Sequence, residues 1–337
     1  MERAGASTPE LQAELALREQ QRLTVAGFGL GRVLCALDVD AGCRGALAMA
    51  SLLAQNFSAS LDGLHVVASA ADWDARLEKV RRLITEHNAR EQLAVLLAPF
   101  AASVEVESFV ARGAASQAIV SHAALHGADL IVLGGSSTAR ADGSAQRVIP
   151  SVAAQADCAV LSVPGDSSAC AMRRMLLAVG AGTDAMAATA WAATLARRFD
   201  AVVRVVRVSP ASRGFWSTLW AVKPAAASSR DTALAASVER ALHSLRFAQV
   251  AALEHPEAEL SSFQVAELAA ADGYDLVVVG LPAELDRACA EAELVAKLRR
   301  DCLVPTLSIR THVGGLLAQR GRRQFAREPY ADVRASA

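Results

Sequence analysis

The sequence predicts an α/β chain of two tandem domains, each a parallel sheet of five strands with helices on both faces. Three observations carry this. The chain has 337 residues, more than one ordinary core needs and suited to two domains of about 150 residues each. Short apolar runs alternate with segments of helical periodicity, the pattern of parallel strands joined by right-handed crossovers. The second half also repeats the first. RVLCALDVDAGCRGALAMASLLAQNF from Arg32 and RMLLAVGAGTDAMAATAWAATLARRF from Arg174 align without a gap at an offset of 142. GADLIVLG ending at Gly134 matches GYDLVVVG ending at Gly280, and AVLSV from Ala159 matches PTLSI from Pro305, both at an offset of 146.

In the first copy the strands are expected at Val33–Leu37, Leu61–Val67, Val104–Arg112, Leu130–Leu133 and Val160–Val163. Three are almost wholly apolar, as strands covered on both faces must be, whereas VEVESFV from Val104 alternates and suits an edge. The second copy matches with Met175–Val179, Val202–Val208, Gln249–Leu253, Leu276–Val279 and Thr306–Ile309. The helix after each first strand carries apolar residues three and four apart: Leu47, Ala50, Leu53 and Ala54 in one copy, Ala192, Leu195 and Ala196 in the other. Residues 1–30 suggest a helical extension with Ser7 or Thr8 as cap and Pro9 in its first turn. The domains are expected to span 31–165 and 172–310, and the basic stretch 311–337 to be a loosely ordered tail. The connection from Ser209 to Ser229 is long and carries Phe215, Trp216 and Trp220.

Composition narrows the functional classes. Lys plus Arg number 34 and Asp plus Glu 35, a balance that gives no reason to expect nucleic acid or an anionic membrane surface as partner. The longest apolar stretches, such as LAVLLAPFAA from Leu93, fall well short of the roughly 18 residues of a membrane span. The polar N-terminus lacks the apolar core of a secretory signal, so a cytoplasmic location is expected. Six cysteines (Cys35, Cys43, Cys158, Cys170, Cys289, Cys302) show no metal-binding spacing and are expected reduced and mostly buried.

The order of elements, the VLCALD opening, and the DLIVLG strand leading through a helix to a final CAVLSV strand resemble the universal stress protein family, in tandem. The resemblance implies strand order 3-2-1-4-5 in each copy and a pseudo-dimer of the two copies. Some members of that family bind ATP and others do not. In such a sheet a ligand settles beyond the carboxyl ends of the strands where the order reverses, here between the first and fourth strands. Asp38 and Gly134 stand at those ends. A carboxylate there accepts from a ribose hydroxyl or an adenine amine, and glycine lets backbone N–H groups approach phosphate oxygens. The family's nucleotide motif is Gly, two residues, Gly, nine residues, then Gly-Ser or Gly-Thr. Gly134 fits its first position, but the second falls on Ser137 and the final pair on Arg147 and Val148. Gly143 and Ser144 could serve through a shorter loop, with Arg147 holding a phosphate by charge. In the second copy Gly180 replaces the acidic residue, and Glu284, Asp286, Glu291 and Glu293 follow the fourth strand where phosphates would sit.

The rival signals are weaker. GAGTDA, residues 180–185, fits a dinucleotide fingerprint, and Arg204 and Arg207 on the next strand would suit a 2′-phosphate, but the aligned DVDAGC reads as the same turn. The chain has neither a G-x-S-x-G elbow nor a P-loop. His65, His87, His122 and His126 read as scattered; none is expected to pair with a second ligand at i+4, and no metal or catalytic residue is assigned. The leading expectation is therefore a non-enzymatic stress-type regulatory protein acting through an unidentified protein partner, without a cofactor. The alternatives are an ATP or AMP sensor using the first copy alone and a dinucleotide enzyme using GAGTDA. A homodimer is left open.

Overall fold

In a computed structural model of the protein, the described residues are 29–38, 43–67, 75–135, 144–165, 172–180, 185–208, 229–255, 259–280 and 302–310. The first copy runs β1 (Arg32–Ala36), α1 (Arg44–Phe57), β2 (Ser60–Val67), α2 (Ala75–Leu97), β3 (Val106–Arg112), α3 (Ala115–His126), β4 (Leu130–Gly135), α4 (Ser144–Gln155) and β5 (Ala159–Pro164). The second runs β6 (Arg174–Gly180), α5 (Ala185–Phe199), β7 (Val202–Val208), α6 (Ser229–Phe247), β8 (Ala252–Glu254), α7 (Ser262–Ala271), β9 (Leu276–Gly280) and β10 (Thr306–Ile309). The N-terminal extension, the aromatic connection and the basic tail expected from the sequence lie outside the described residues, save for the two residues before Gly31 and the first of α6.

Each copy has the expected strand order, and the two join into one ten-stranded sheet, β3-β2-β1-β4-β5-β10-β9-β6-β7-β8. The junction is antiparallel, with Leu161 opposite Leu307, Ser162 opposite Thr306 and Val160 opposite Ser308. Because Leu161 and Leu307 are equivalent in the repeat, this is an isologous pairing about a pseudo-two-fold axis. The side chains obey the same symmetry: Ser162 donates to the Thr306 carbonyl at 3.2 Å, and the equivalent Ser308 donates to the Val160 carbonyl at 3.0 Å. Arg310 adds a hydrogen bond to the carbonyl of Ala154 in the other copy. An apolar terminal strand in each half would otherwise expose a row of unpaired backbone groups. The remaining edges are β3, the alternating strand, and β8, which carry Glu107 and Glu254. Both faces of the sheet bury apolar cores that run across the junction; Leu161 and Leu307 lie in one, with Trp191, and Val160, Val277 and Val304 in the other.

Helix ends repeat with the sequence. Ser58 and Asp200 close α1 and α5 in left-handed conformations with φ of 53° each, and Gly127 and Gly273 do so after α3 and α7 at 65° and 64°. The second copy's third strand is shorter than expected and starts later, at Ala252 rather than Gln249. Gln249 takes φ of 59°, and the Val250 amide turns back to the Leu245 carbonyl at 3.0 Å, so both residues finish α6 before extended backbone can begin. The first copy's third strand likewise begins at Val106, because the Val104 amide closes a turn on Phe100.

One carboxylate in each copy ties the start of the first strand to the start of the fourth. Asp129 Oδ2 accepts the amides of Gly31 and Arg32 at 2.6 and 3.1 Å, and Asp275 Oδ2 accepts those of Arg173 and Arg174 at 2.7 and 2.9 Å. These are the aspartates of the repeated DL[IV]V segments. Hydrogen bonds to a charged acceptor contribute about 1.5–3 kcal/mol. Asp129→Ala and Asp275→Ala should each destabilise the chain by about 1–3 kcal/mol, the buried Asp129 more than the half-buried Asp275. The two losses should add in the double variant, since the sites share no partner. Urea denaturation midpoints of the four proteins measure this.

Candidate functional site

The topology places the switch point of the first copy between β1 and β4, which pair in parallel from Val33 opposite Leu130 to Ala36 opposite Leu133. Asp38 lies two residues past Ala36, half-buried, and Gly134 follows Leu133, so the structure brings these two expected site residues to adjacent strand ends. Helix α1 rises beside them. Its N-cap is Cys43, with no side-chain cap and no acidic residue in the first turn, so Asp38 is not the cap of this helix. A Cβ built on Gly134 would stand 3.3 Å from the Ala46 Cβ and 3.9 Å from the Cys43 Cα. The glycine therefore has a packing role against α1 whatever binds nearby. His65 reaches the same edge from β2, where its Nδ1 lies 2.9 Å from the Leu37 carbonyl and donates to it.

Ser144 opens α4 and Arg147 stands in its first turn, but their side chains, with Ser137 and Gly143 as a whole, lie outside the described residues. In the second copy Gly180 closes β6 and Gly280 closes β9; the acidic stretch after Gly280 and residues 181–184 of the dinucleotide-like turn lie outside the described residues. The basic residues on β7 that the dinucleotide reading needs both face acidic partners, and only Arg207, opposite Val179, lies near that turn. Arg207 pairs with Glu254 at 2.5 Å, and Arg204 reaches Asp272 at 3.7 Å, at the amino edge of the sheet and away from that turn.

The four cysteines among the described residues, Cys35, Cys43, Cys158 and Cys302, are buried free thiols. Burial raises all four, Cys158 to about 12, and the charge of Asp38 adds to the effect at Cys43. A thiol held protonated in this way is a poor nucleophile and metal ligand.

One expectation about the histidines is corrected. His122 and His126 stand four residues apart on α3, and their rings stack at 4.0 Å between centroids. Phe109 of β3 covers both, at 4.5 and 4.9 Å. Beneath them Asp62 of β2 is fully buried and takes Arg32 Nη1 on both oxygens, at 2.7 and 2.8 Å; Arg32 also reaches Glu107 at 3.3 Å. The spacing SHAALHG was readable in the sequence; its third member, Asp62, is sixty residues away and is brought in by the pairing of β2 with β1 and β3. This cluster lies at the amino edge of the first copy, opposite the carboxyl edge that holds Asp38 and Gly134.

Among the described residues no helix is long and apolar enough to cross a membrane. No curated protein matches the chain. Among solved structures, a universal stress protein from Archaeoglobus fulgidus DSM 4304 aligns at TM-score 0.54 and 11% identity, over 85% of this chain and 98% of its own. A functionally unknown protein from Pseudomonas aeruginosa PAO1 aligns at TM-score 0.51 and 13% identity, over 90% of this chain and 99% of its own. At these identities the likeness is one of fold. The model of the universal stress protein family matches twice, at residues 29–164 and 172–287, and these two matches cover more than half of the chain. The strand order found in both copies agrees with it, and this chain belongs to the universal stress protein family as a tandem member.

Proposed function

We propose that the protein is a non-enzymatic regulatory or protective module of the universal stress type whose output runs through contacts with another protein, its nucleotide edges reduced in both copies. The observation that carries this reading is Gly134. It is the one motif glycine retained in the first copy, and close packing against Ala46 and Cys43 accounts for it without a phosphate. The other motif positions hold Ser137, Arg147 and Val148, and in the second copy Gly180 stands where the first has Asp38. The carboxylates Glu284, Asp286, Glu291 and Glu293 would also oppose a triphosphate there.

A second reading, ATP or AMP bound by the first copy alone, is favoured by one observation: Asp38 and Gly134 meet at the topological switch point. Calorimetric titration of the whole chain with Mg-ATP and with AMP separates the two. The proposed reading expects no saturable binding at micromolar ligand. Saturation at one site per chain would favour the second, and Asp38→Ala should then weaken it at least several-fold, since a charge-assisted hydrogen bond contributes about 1.5–3 kcal/mol.

Gly134 can be tested with no ligand present. A methyl at 3.3 Å from Ala46 forces a small shift, and overpacking of this kind costs about 1–3 kcal/mol. Gly134→Ala should therefore lower the chemical-denaturation stability by about that amount in nucleotide-free buffer. Unchanged stability would return the glycine to a ligand role.

A further inference from the structure

We propose that Asp62, His122 and His126 form a binding site for a divalent transition cation of the zinc type at the amino edge of the first copy. The ligand atoms of the three side chains all lie within 4.8 Å of one another, and His122 Nε2 stands 3.9 Å from Asp62 Oδ2. Ligands at zinc's bond lengths, about 2.0–2.2 Å, sit about 3.4 Å apart in a tetrahedral site, so rotations that unstack the two rings and draw the three ligand atoms together would complete the shell. Two histidines one helical turn apart have the spacing of a zinc-binding pair, and turning the two stacked rings out of parallel would aim a nitrogen of each at one ion.

Two independent observations support a cation at this place. First, His122 Nε2 is buried without a hydrogen-bond partner, a costly state for a polar nitrogen that a metal bond would remove. Second, the equivalent place in the second copy is already bridged. At the same repeat offsets, Asp62 corresponds to Arg204, His126 to Asp272 and His122 to Leu268. Arg204 and Asp272 form an ion pair at 3.7 Å between β7 and the end of α7. In the first copy the strand carries the acid instead and the helix carries neutral ligands, so a cation between them plays the part of the guanidinium.

Arg32 does not fill that part. It holds both carboxylate oxygens from the β1 side, each of which keeps a second lone pair, and Glu107 balances its charge. As a neighbour of the ligand shell, Arg32 fixes the orientation of Asp62. A cavity of about 330 Å³ beside the cluster is lined by His126, together with Arg32, Asp129 and Asp157.

The test uses the full-length protein, stripped of metal and titrated with Co2+ as a spectroscopic probe. One equivalent should bind with the visible absorption of a tetrahedral site, without the charge-transfer band of thiolate ligation, and Zn2+ should displace it. His122→Ala and His126→Ala should weaken binding by at least about 100-fold, the upper range for losing even an outer partner. His126→Gln, at a partly exposed position of α3, is the variant least disruptive to folding and should lose the cobalt spectrum while its metal-free melting temperature stays near wild type. His87→Ala, at an exposed position, should bind as wild type. Absence of Co2+ or Zn2+ binding at tens of micromolar, or undiminished binding in both alanine variants, would overturn the assignment.

Discussion

The antiparallel pairing of β5 with β10 is the constraint on which the architecture rests. Each half of the chain winds a parallel sheet whose last strand is apolar and buried on both faces, and such a strand cannot be left as an open edge in water. Pairing the two last strands satisfies their backbone groups, places Leu161 against Leu307 at the centre of the molecule, and lets the cores on both faces continue from one copy into the other. The identical chemistry of the two strands, LSV and LSI, makes this an interaction of like with like: the serines exchange equivalent hydrogen bonds with the opposite strand. A tandem repeat thereby achieves within one chain what a symmetric dimer achieves between two.

The symmetry so imposed is one of backbone and core; the charged groups depart from it. The left-handed helix closures and the aspartates that tie β1 to β4 and β6 to β9 recur at the repeat offsets. The polar side chains near the amino edge do not. There the first copy sets a buried carboxylate beneath two histidines, and the second sets arginine against aspartate. At the carboxyl edge the first copy keeps Asp38 and the second has Gly180. Backbone architecture tolerates this divergence because each site sits at strand ends, where side chains leave the common core. Two copies of one fold can thus hold different chemistry at corresponding places.

Much of this was legible in the sequence. The strands were readable to within about two residues almost everywhere, since buried parallel strands write themselves as continuous apolar runs, and the alternation of VEVESFV marked the edge strand. The displaced start of β8 was not legible, because Gln249 in a left-handed conformation looks from sequence like any polar residue before an apolar run. The edge-to-edge seam was not legible either: periodicity tells which faces are buried but not which edges meet. At the carboxyl edge, the adjacency of Asp38 and Gly134 followed from the strand order, while the contact of Gly134 with Ala46 required the packing of α1. The histidine pair was present in the sequence as a spacing of four and became meaningful only with Asp62, a residue that strand pairing alone brings near.

The seam is tested most directly by hydrogen–deuterium exchange of the native protein, comparing peptides that contain Ala159–Pro164 and Thr306–Ile309 with those of the interior strands β1 and β4 and the edge strands β3 and β8. A continuous ten-stranded sheet predicts that the two seam strands are protected as strongly as the interior strands, opening only with the global unfolding of the chain. Exchange of both seam strands at the rate of β3 and β8 would contradict the continuous sheet and leave two independent domains.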